Sequence, residues 1–346
     1  MKSAAPVVLA VDGGNSKTDL ALVRGDGSLL AHVRGPLSSP HHLGLAESVS
    51  LLQRLRDEAI GAGANGGPTP AVAEVFLAGV DFPSEEEGLR AELEACGFAS
   101  HVVVGNDTLA LLRAGTERGW GVAVVCGAGI NCVGVGPDGS HVRFPALGAM
   151  TGDWGGGYDV GSEALFVAAR SEDGRGARTS LELAVPRHFG LDSPRRLAEE
   201  MHAGRISHRR LIELAPVVFA EAERDPAAAA IVARLAAEVV ALARVALTRL
   251  GLGREPVEVV LGGGLLRAGD ERLQAAIAAG LAEVGPAIAV HTTDAPPVVG
   301  AALLGLDWLG VDDVAKERAR RELIAAADAD DDLDPARPVG VEARRG

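Results

Sequence analysis

The sequence predicts an α/β protein built from two related halves. Three times an apolar strand runs into a glycine-rich turn: at residues 7–18 (VVLAVDGGNSKT), 121–135 (GVAVVCGAGINCVGV) and 257–266 (VEVVLGGGLL). The first two of these open the same pattern of strand, glycine turn, strand, Asp-Gly turn and strand, so one meander occurs twice. Each turn brings backbone N–H groups to the end of a strand where no Cβ obstructs a phosphate or nucleoside. Two such halves facing each other would form a nucleotide cleft lined by the strand-to-turn corners.

In the first half, residues 7–11, 18–23 and 28–33 read as strands, with Asp26-Gly27 turning the chain between the second and third. A polar connection at 35–44 leads to a helix over 45–62, with Leu51, Leu52 and Leu55 on one face. Residues 61–70 form a surface loop by composition. A strand at 72–79, a helix at 85–96, a strand at 101–104 and a helix at 107–117 complete the unit.

The second half repeats the meander at 121–126, 131–135 and 141–144, with Asp138-Gly139 as its hairpin turn. A mainly helical stretch, 158–252, interrupts it. The pattern resumes with a strand at 257–261, a helix at 271–283, a strand at 287–291 and a helix at 297–309. The expected division is therefore 1–117, then 118–326 with its helical insertion, then a solvated, disordered tail at 327–346 (ADADDDLDPARPVGVEARRG).

At 346 residues each half is large enough for its own core. Aromatic residues are only 3% of the chain, so Ala, Val, Leu and Gly must fill those cores. The net charge of −14, with no large basic block, argues against nucleic acid and against a membrane surface as partners. The apolar segment 227–250 carries Arg234, Glu238, Arg244 and Arg249, which marks a packed helix, not a membrane span. Cys96, Cys126 and Cys132 include no Cys-x-x-Cys pair and no His at zinc-ligand spacing. With no secretory leader pattern at the N-terminus, a reduced, cytoplasmic protein is the simplest expectation.

Chemistry concentrates at the turns. Asp12 ends the first strand, where a carboxylate can hold Mg²⁺ through water. Gly13 and Gly14 turn the chain, Asn15, Ser16 and Thr18 offer amides and hydroxyls to phosphates, and Lys17 can neutralise phosphoryl charge. The spacing is not that of a P-loop, and a plain hairpin is the alternative reading. Gly127, Ala128, Gly129 and Asn131 occupy the equivalent corner of the second half and can cradle further phosphates. Gly262, Gly263 and Gly264 expose flat backbone against which a purine or ribose can lie, or else simply connect strand to helix.

Asn106 and Asp107 follow a strand and open a helix. Asp107 there can accept a proton from a substrate hydroxyl, the general-base role in phosphoryl transfer. The alternative is a helix N-cap, at which Asn serves as well as Asp but cannot act as a base. The stretch 148–161 (GAMTGDWGGGYDVG) can wrap a sugar, with Asp153 accepting hydroxyl hydrogen bonds and Trp154 shielding the site. Its alternative is a flexible connection. His41 and His42 can hydrogen-bond a substrate, although exposed loop histidines are the commoner case. Cys126 and Cys132 read as strand-core thiols.

Taken together, residues 7–310 resemble the BadF/BadG/BcrA/BcrD ATPase family, and within it the N-acetylglucosamine kinase branch. The resemblance implies the duplicated ribonuclease H-like fold of sugar kinases, Hsp70 and actin, with ATP and Mg²⁺ in an interdomain cleft. It implies that residues 12–18 are the first phosphate motif, Gly127 to Asn131 the second and Gly262 to Gly264 the adenosine motif. Asn106-Asp107 matches the family's Asn-Asp pair, whose aspartate acts on the sugar 6-hydroxyl, and Gly152-Asp153 matches the Gly-Asp that holds sugar hydroxyls. A homodimer is a further implication. The expected activity is ATP-dependent phosphorylation of an amino sugar, N-acetylglucosamine first. Two other readings share the fold: an ATPase activator of a 2-hydroxyacyl-CoA dehydratase or benzoyl-CoA reductase, which needs cysteine ligands for an iron–sulfur cluster, and a non-catalytic sugar or nucleotide sensor.

Overall fold

Residues Val7–Gly13 (VVLAVDG) form strand β1 because alternate aliphatic side chains find a core on each face of the sheet. Val7, Leu9 and Val11 join one cluster of buried residues, Val8 and Ala10 another. The computed structural model describes residues 5–62 and 69–333. Its chain divides into two compact units, Met1–Ala114 with Ala295–Gly346, and Gly115–Asp294.

In the first unit β1 is followed by β2 (Lys17–Arg24), β3 (Leu29–Pro36), the short helix α1 (Pro40–Leu43) and α2 (Leu45–Ala62). Then come β4 (Val72–Leu77), α3 (Pro83–Ala95), β5 (Val102–Asn106) and α4 (Asp107–Gly115). The sheet order is β3-β2-β1-β4-β5. β1–β2 and β2–β3 pair antiparallel, whereas β1–β4 and β4–β5 pair parallel. Parallel pairing puts the C-terminal ends of β1, β4 and β5 on one edge, where ligands bind in sheets of this kind.

The second unit repeats this plan with β6 (Gly121–Cys126), β7 (Ile130–Val135) and β8 (His141–Arg143). Its helical insertion holds α5 (Gly156–Glu172), α6 (Leu181–His188), α7 (Pro194–His202), α8 (Ala215–Glu221) and α9 (Pro226–Arg249). It closes with β9 (Val257–Gly262), α10 (Gly264–Arg267), α11 (Glu271–Ala282) and β10 (Ile288–Thr292). Read from its meander edge inward, the order β8-β7-β6-β9-β10 copies that of the first sheet, and the parallel and antiparallel pairings correspond strand for strand. Asp225 starts α9: its Oδ1 accepts the N–H groups of Ala227 at 2.7 Å and Ala228 at 3.3 Å. Among the described residues, no helix is long and apolar enough to cross a membrane.

Two helices then return to the first unit, α12 (Pro297–Trp308) and α13 (Asp313–Leu333). This differs from the contiguous division at residues 117 and 326. α12 carries Val298, Val299, Ala302 and Leu306, which complete the core on the Val8–Ala10 face of the first sheet, so it belongs there by burial. Its Gly300 lies so close to α4 that a Cβ would sit 1.8 Å from the Ala110 carbonyl oxygen. α13 also corrects the expected tail, because the helix runs on through residue 333. Ala315, Ala319, Leu323 and Ala327 recur every fourth residue on its buried face. The rest of that expected tail, and residues 63–68 of the expected surface loop, lie outside the described residues.

Candidate active site

In the first unit the ends of β1, β3, β4 and β5 meet in a continuous set of contacts. Gly14 N–H donates to the Lys17 carbonyl at 2.8 Å, closing the turn from β1 to β2. Gly13 must be glycine, since a Cβ would lie 2.2 Å from Ser38 Oγ and 2.3 Å from Leu77 Cδ2. The Thr18 hydroxyl is shared between the Pro36 carbonyl and Ser38 Oγ, 2.7 Å from each. Gly79, at φ +78°, makes room for Ser39 and the His41 ring. His41 Nε2 lies 3.2 Å from Glu85 Oε1. Glu85 Oε2 in turn accepts the N–H groups of Asp81 at 2.8 Å and Phe82 at 3.0 Å, capping α3.

The chain of contacts ends at the predicted base. Asn106 Nδ2 donates to Asp81 Oδ1 at 2.7 Å, while Asn106 Oδ1 accepts the N–H of Thr108 at 3.0 Å and its hydroxyl at 2.6 Å. Asp107, partly buried, is the first residue of α4. Burial raises its carboxyl and the charge of Asp81 raises it further, to about 7, although the N–H groups of Thr108 and of Asp107 itself pull the other way. A carboxyl there changes charge near neutral pH, as a general base requires.

Other sequence-selected side chains in this unit have identified partners. Lys17 Nζ lies 3.4 Å from Asp19 Oδ2, so its charge is directed at a buried carboxylate. The amide of Asn106 is engaged at both ends, which makes it a bracket for Asp107 as well as a candidate sugar contact. His42 is exposed. Asp81 and Glu85 were not apparent from sequence; the signal available was a carboxylate just beyond a strand end, followed by Pro83 and a glutamate in capping position.

In the second unit three glycine segments converge. Gly127 N–H donates to the Gly129 carbonyl at 2.9 Å, making a tight turn between β6 and β7. The start of α5 braces that turn: Gly157 N–H donates to the Gly127 carbonyl at 2.8 Å and Tyr158 N–H to the Ala128 carbonyl at 3.0 Å. Gly156, at φ +79°, approaches so closely that a Cβ would lie 2.4 Å from the Gly129 carbonyl oxygen. Gly263, at φ +85°, does the same to the Cys126 carbonyl at 2.2 Å. Cβ atoms at Gly127, Gly129 and Gly264 would meet nothing within 4 Å, so those three face open space. Asn131 turns its Oδ1 back to the N–H of Cys132 at 2.7 Å.

The 148–161 stretch therefore has two jobs. Gly155 to Gly157 begin a helix and pack on the turn, instead of wrapping a ligand. Asp153 and Trp154 line a cavity of about 130 Å³, together with Phe144, Glu238 and Leu242. Asp153 accepts the Thr151 hydroxyl, and the Arg234 guanidinium covers one face of Trp154 at 4.0 Å from the ring centre. Carboxylates beside an aromatic face suit a sugar ring, whose hydroxyls need acceptors and whose C–H faces need apolar contact.

Comparison with known proteins gives the family and the fold. The model of the BadF/BadG/BcrA/BcrD ATPase family matches residues 9–305. An N-acetyl-D-glucosamine kinase of Dictyostelium discoideum is 26% identical over 87% of this chain and 98% of its own. An N-acetylmuramic acid/N-acetylglucosamine kinase of Clostridium acetobutylicum is 28% identical over 61% of this chain and 69% of its own. The crystal structure of a provisional N-acetylglucosamine kinase from Chromobacterium violaceum superposes with a TM-score of 0.69 at 23% identity, covering 87% of this chain and 99% of that one. That likeness establishes the fold as the duplicated, actin-like α/β type.

Proposed function

The chain belongs to the BadF/BadG/BcrA/BcrD ATPase family, and from that premise we propose that it is an ATP-dependent kinase acting on the 6-hydroxyl of an amino sugar, with N-acetylglucosamine as the first-choice acceptor. The observation that carries this reading is Asp107, held at the end of β5 with its carboxyl raised to about 7. As the sugar O6 attacks the γ-phosphorus of ATP, its proton passes to the Asp107 carboxylate. The O6–P bond forms, the bond from that phosphorus to the β–γ bridging oxygen breaks, and ADP leaves. The relatives' names support the choice of acceptor class.

Residues 13–18, the Gly127–Gly129 turn and the glycines at 262–264 are assigned to ATP; Asp107, Asn106, His41, His42, Gly152 and Asp153 are assigned to the sugar. Asp12 fits Mg²⁺, being an oxygen donor at a strand end and only partly buried. When bound, the ion neutralises charge on the phosphates. A homodimer and a cytoplasmic location complete the proposal. The activator reading is disfavoured because a cluster needs thiolates. Burial pushes the Cys126 thiol up to about 12 and raises Cys132 as well.

The test is ADP release with Mg-ATP across hexoses and amino sugars, for the natural protein and for Asp107→Asn. Turnover that needs an amino sugar and disappears in a folded Asp107→Asn protein supports the kinase. Sugar-independent hydrolysis unaffected by the substitution overturns it.

A further inference from the structure

Asp81 follows β4 by four residues. Its Oδ1 accepts Asn106 Nδ2 at 2.7 Å. The other end of that amide accepts both the N–H and the hydroxyl of Thr108. Asp107 thus sits between two residues that one side-chain bridge ties together, with Asp81 anchoring the bridge. Resting on the kinase reading above, we propose that Asp81 is a positioning residue for proton acceptance by Asp107: it clamps the Asn106–Thr108 turn and sets a second negative charge against the accepting carboxylate.

The two parts of this role separate chemically. Clamping needs only a hydrogen-bond acceptor, which an asparagine at 81 would still supply. Charging needs a carboxylate. Like charges in one site make the remaining carboxylate harder to ionise and more basic; at Asp107 burial is the larger cause of the upward shift, and the charge of Asp81 adds to it. Groups facing Asp81 come from three elements: His41 of α1, Glu85 of α3, and Asn106 with Asp107 at the junction of β5 and α4. The polar atoms of His41, Asp81 and Glu85 all lie within 4.8 Å of one another. Glu85 is committed to two backbone N–H groups and to His41, which holds its own carboxyl below the usual range although burial works against that.

The experiment compares full-length natural protein with Asp81→Asn, reading kcat and KM for sugar and ATP from pH 5 to 9. The expected result is an acidic limb of kcat displaced downward by about one pH unit, a plateau lower by a few fold, and KM values within about twofold. A purely structural Asp81 would leave the limb in place, and that result overturns the proposal. Carboxyl ¹³C titration of Asp107, assigned by its loss in Asp107→Asn, gives a readout independent of turnover. In the natural protein it should titrate above the ordinary aspartate range, and in Asp81→Asn it should move back toward it. If Asp81→Asn does not fold, the natural protein decides alone: a single step in the ordinary range overturns the proposal, whereas a raised, two-step curve sustains it. Absence of sugar-dependent turnover in the natural protein would sink the kinase reading, and the titration would still judge the link between Asp81 and Asp107.

Discussion

Asp12 and Asp19 are direct partners across the β1–β2 ladder, and Arg34 is the partner of Asp19 on β3, so three charged residues cross the sheet in one row. Side chains at such positions share a face, and two adjacent carboxylates would repel. Arg34 answers this: its Nε donates to Asp19 Oδ1 at 2.6 Å, with His32 Nε2 at 3.4 Å and Lys17 Nζ at 3.4 Å from the same carboxylate. Burial raises the Asp19 carboxyl, but the hydrogen bonds of His32 and Arg34 and the charges of Lys17 and Arg34 outweigh it, bringing it down to about 2.

Asp19→Asn should therefore cost stability, because it removes the buried carboxylate that Arg34, His32 and Lys17 share. A loss of about 3 kcal/mol in urea unfolding at pH 7 is expected. A carboxyl lowered by folding contributes stability above its unfolded value near 4, and that contribution disappears as pH falls toward 2. The gap between natural protein and variant should close over that window; a gap independent of pH would refute the ion-pair account.

Gly263 and Gly264 offer an internal control for the third glycine motif. Gly263→Ala places a Cβ 2.2 Å from a backbone carbonyl at a positive φ, so the ends of β6 and β9 must part. Unfolding should show a loss of about 2 kcal/mol or more, with weaker ATP binding because Cys126 directly precedes the Gly127 turn. Gly264→Ala meets open space and should keep its stability. If Gly264→Ala nevertheless weakens ATP binding, that open space is where the nucleotide lies.

These positions also show what a sequence discloses and what it hides. The two meanders, their Asp-Gly turns and the strand-end glycines were legible because glycine and turn chemistry are local signals. Their purpose was not. Gly155 to Gly157 and Gly13 to Gly14 look alike as letters, yet the former let a helix approach Gly129, a contact made by residues far apart in the chain. Asp81 was missed for the same reason, since its partner Asn106 lies 25 residues away. α13 is hard to read from sequence because its buried stripe is mostly alanine within dense charge, a weak periodic signal. The return of α12 and α13 to the first unit is likewise a packing fact, unreadable from composition.

Glu74 predicts a pH effect outside the site. It stands in β4 on the face that α12 covers, with 4% of its surface exposed. Burial raises its carboxyl and the charge of Asp307 adds to that, to about 8. A carboxyl raised by folding stabilises least when ionised, so natural stability should fall as pH rises from about 4.5 to 8. Glu74→Gln keeps the shape without the charge and should lose less stability between pH 6 and 9 in urea titrations. Parallel curves for the two proteins would show that Glu74 ionises freely in the fold.

Asp107→Asn should separate function from stability in opposite directions. If Asp107 served only to start α4, asparagine would serve nearly as well, and neither activity nor stability would change much. As a crowded base raised to about 7, it instead burdens the fold once it ionises. The natural protein should therefore lose stability as pH rises from about 4 to 7, and Asp107→Asn should lose less over the same interval, being the more stable of the two at pH 8. At that pH kcat should fall at least about 100-fold, the scale of a lost general base. Thermal unfolding at pH 5 and 8 beside ADP release at pH 8 measures both quantities. A variant that is less active and also less stable at pH 8 would indicate a damaged fold, and Asp107 would then be a structural residue.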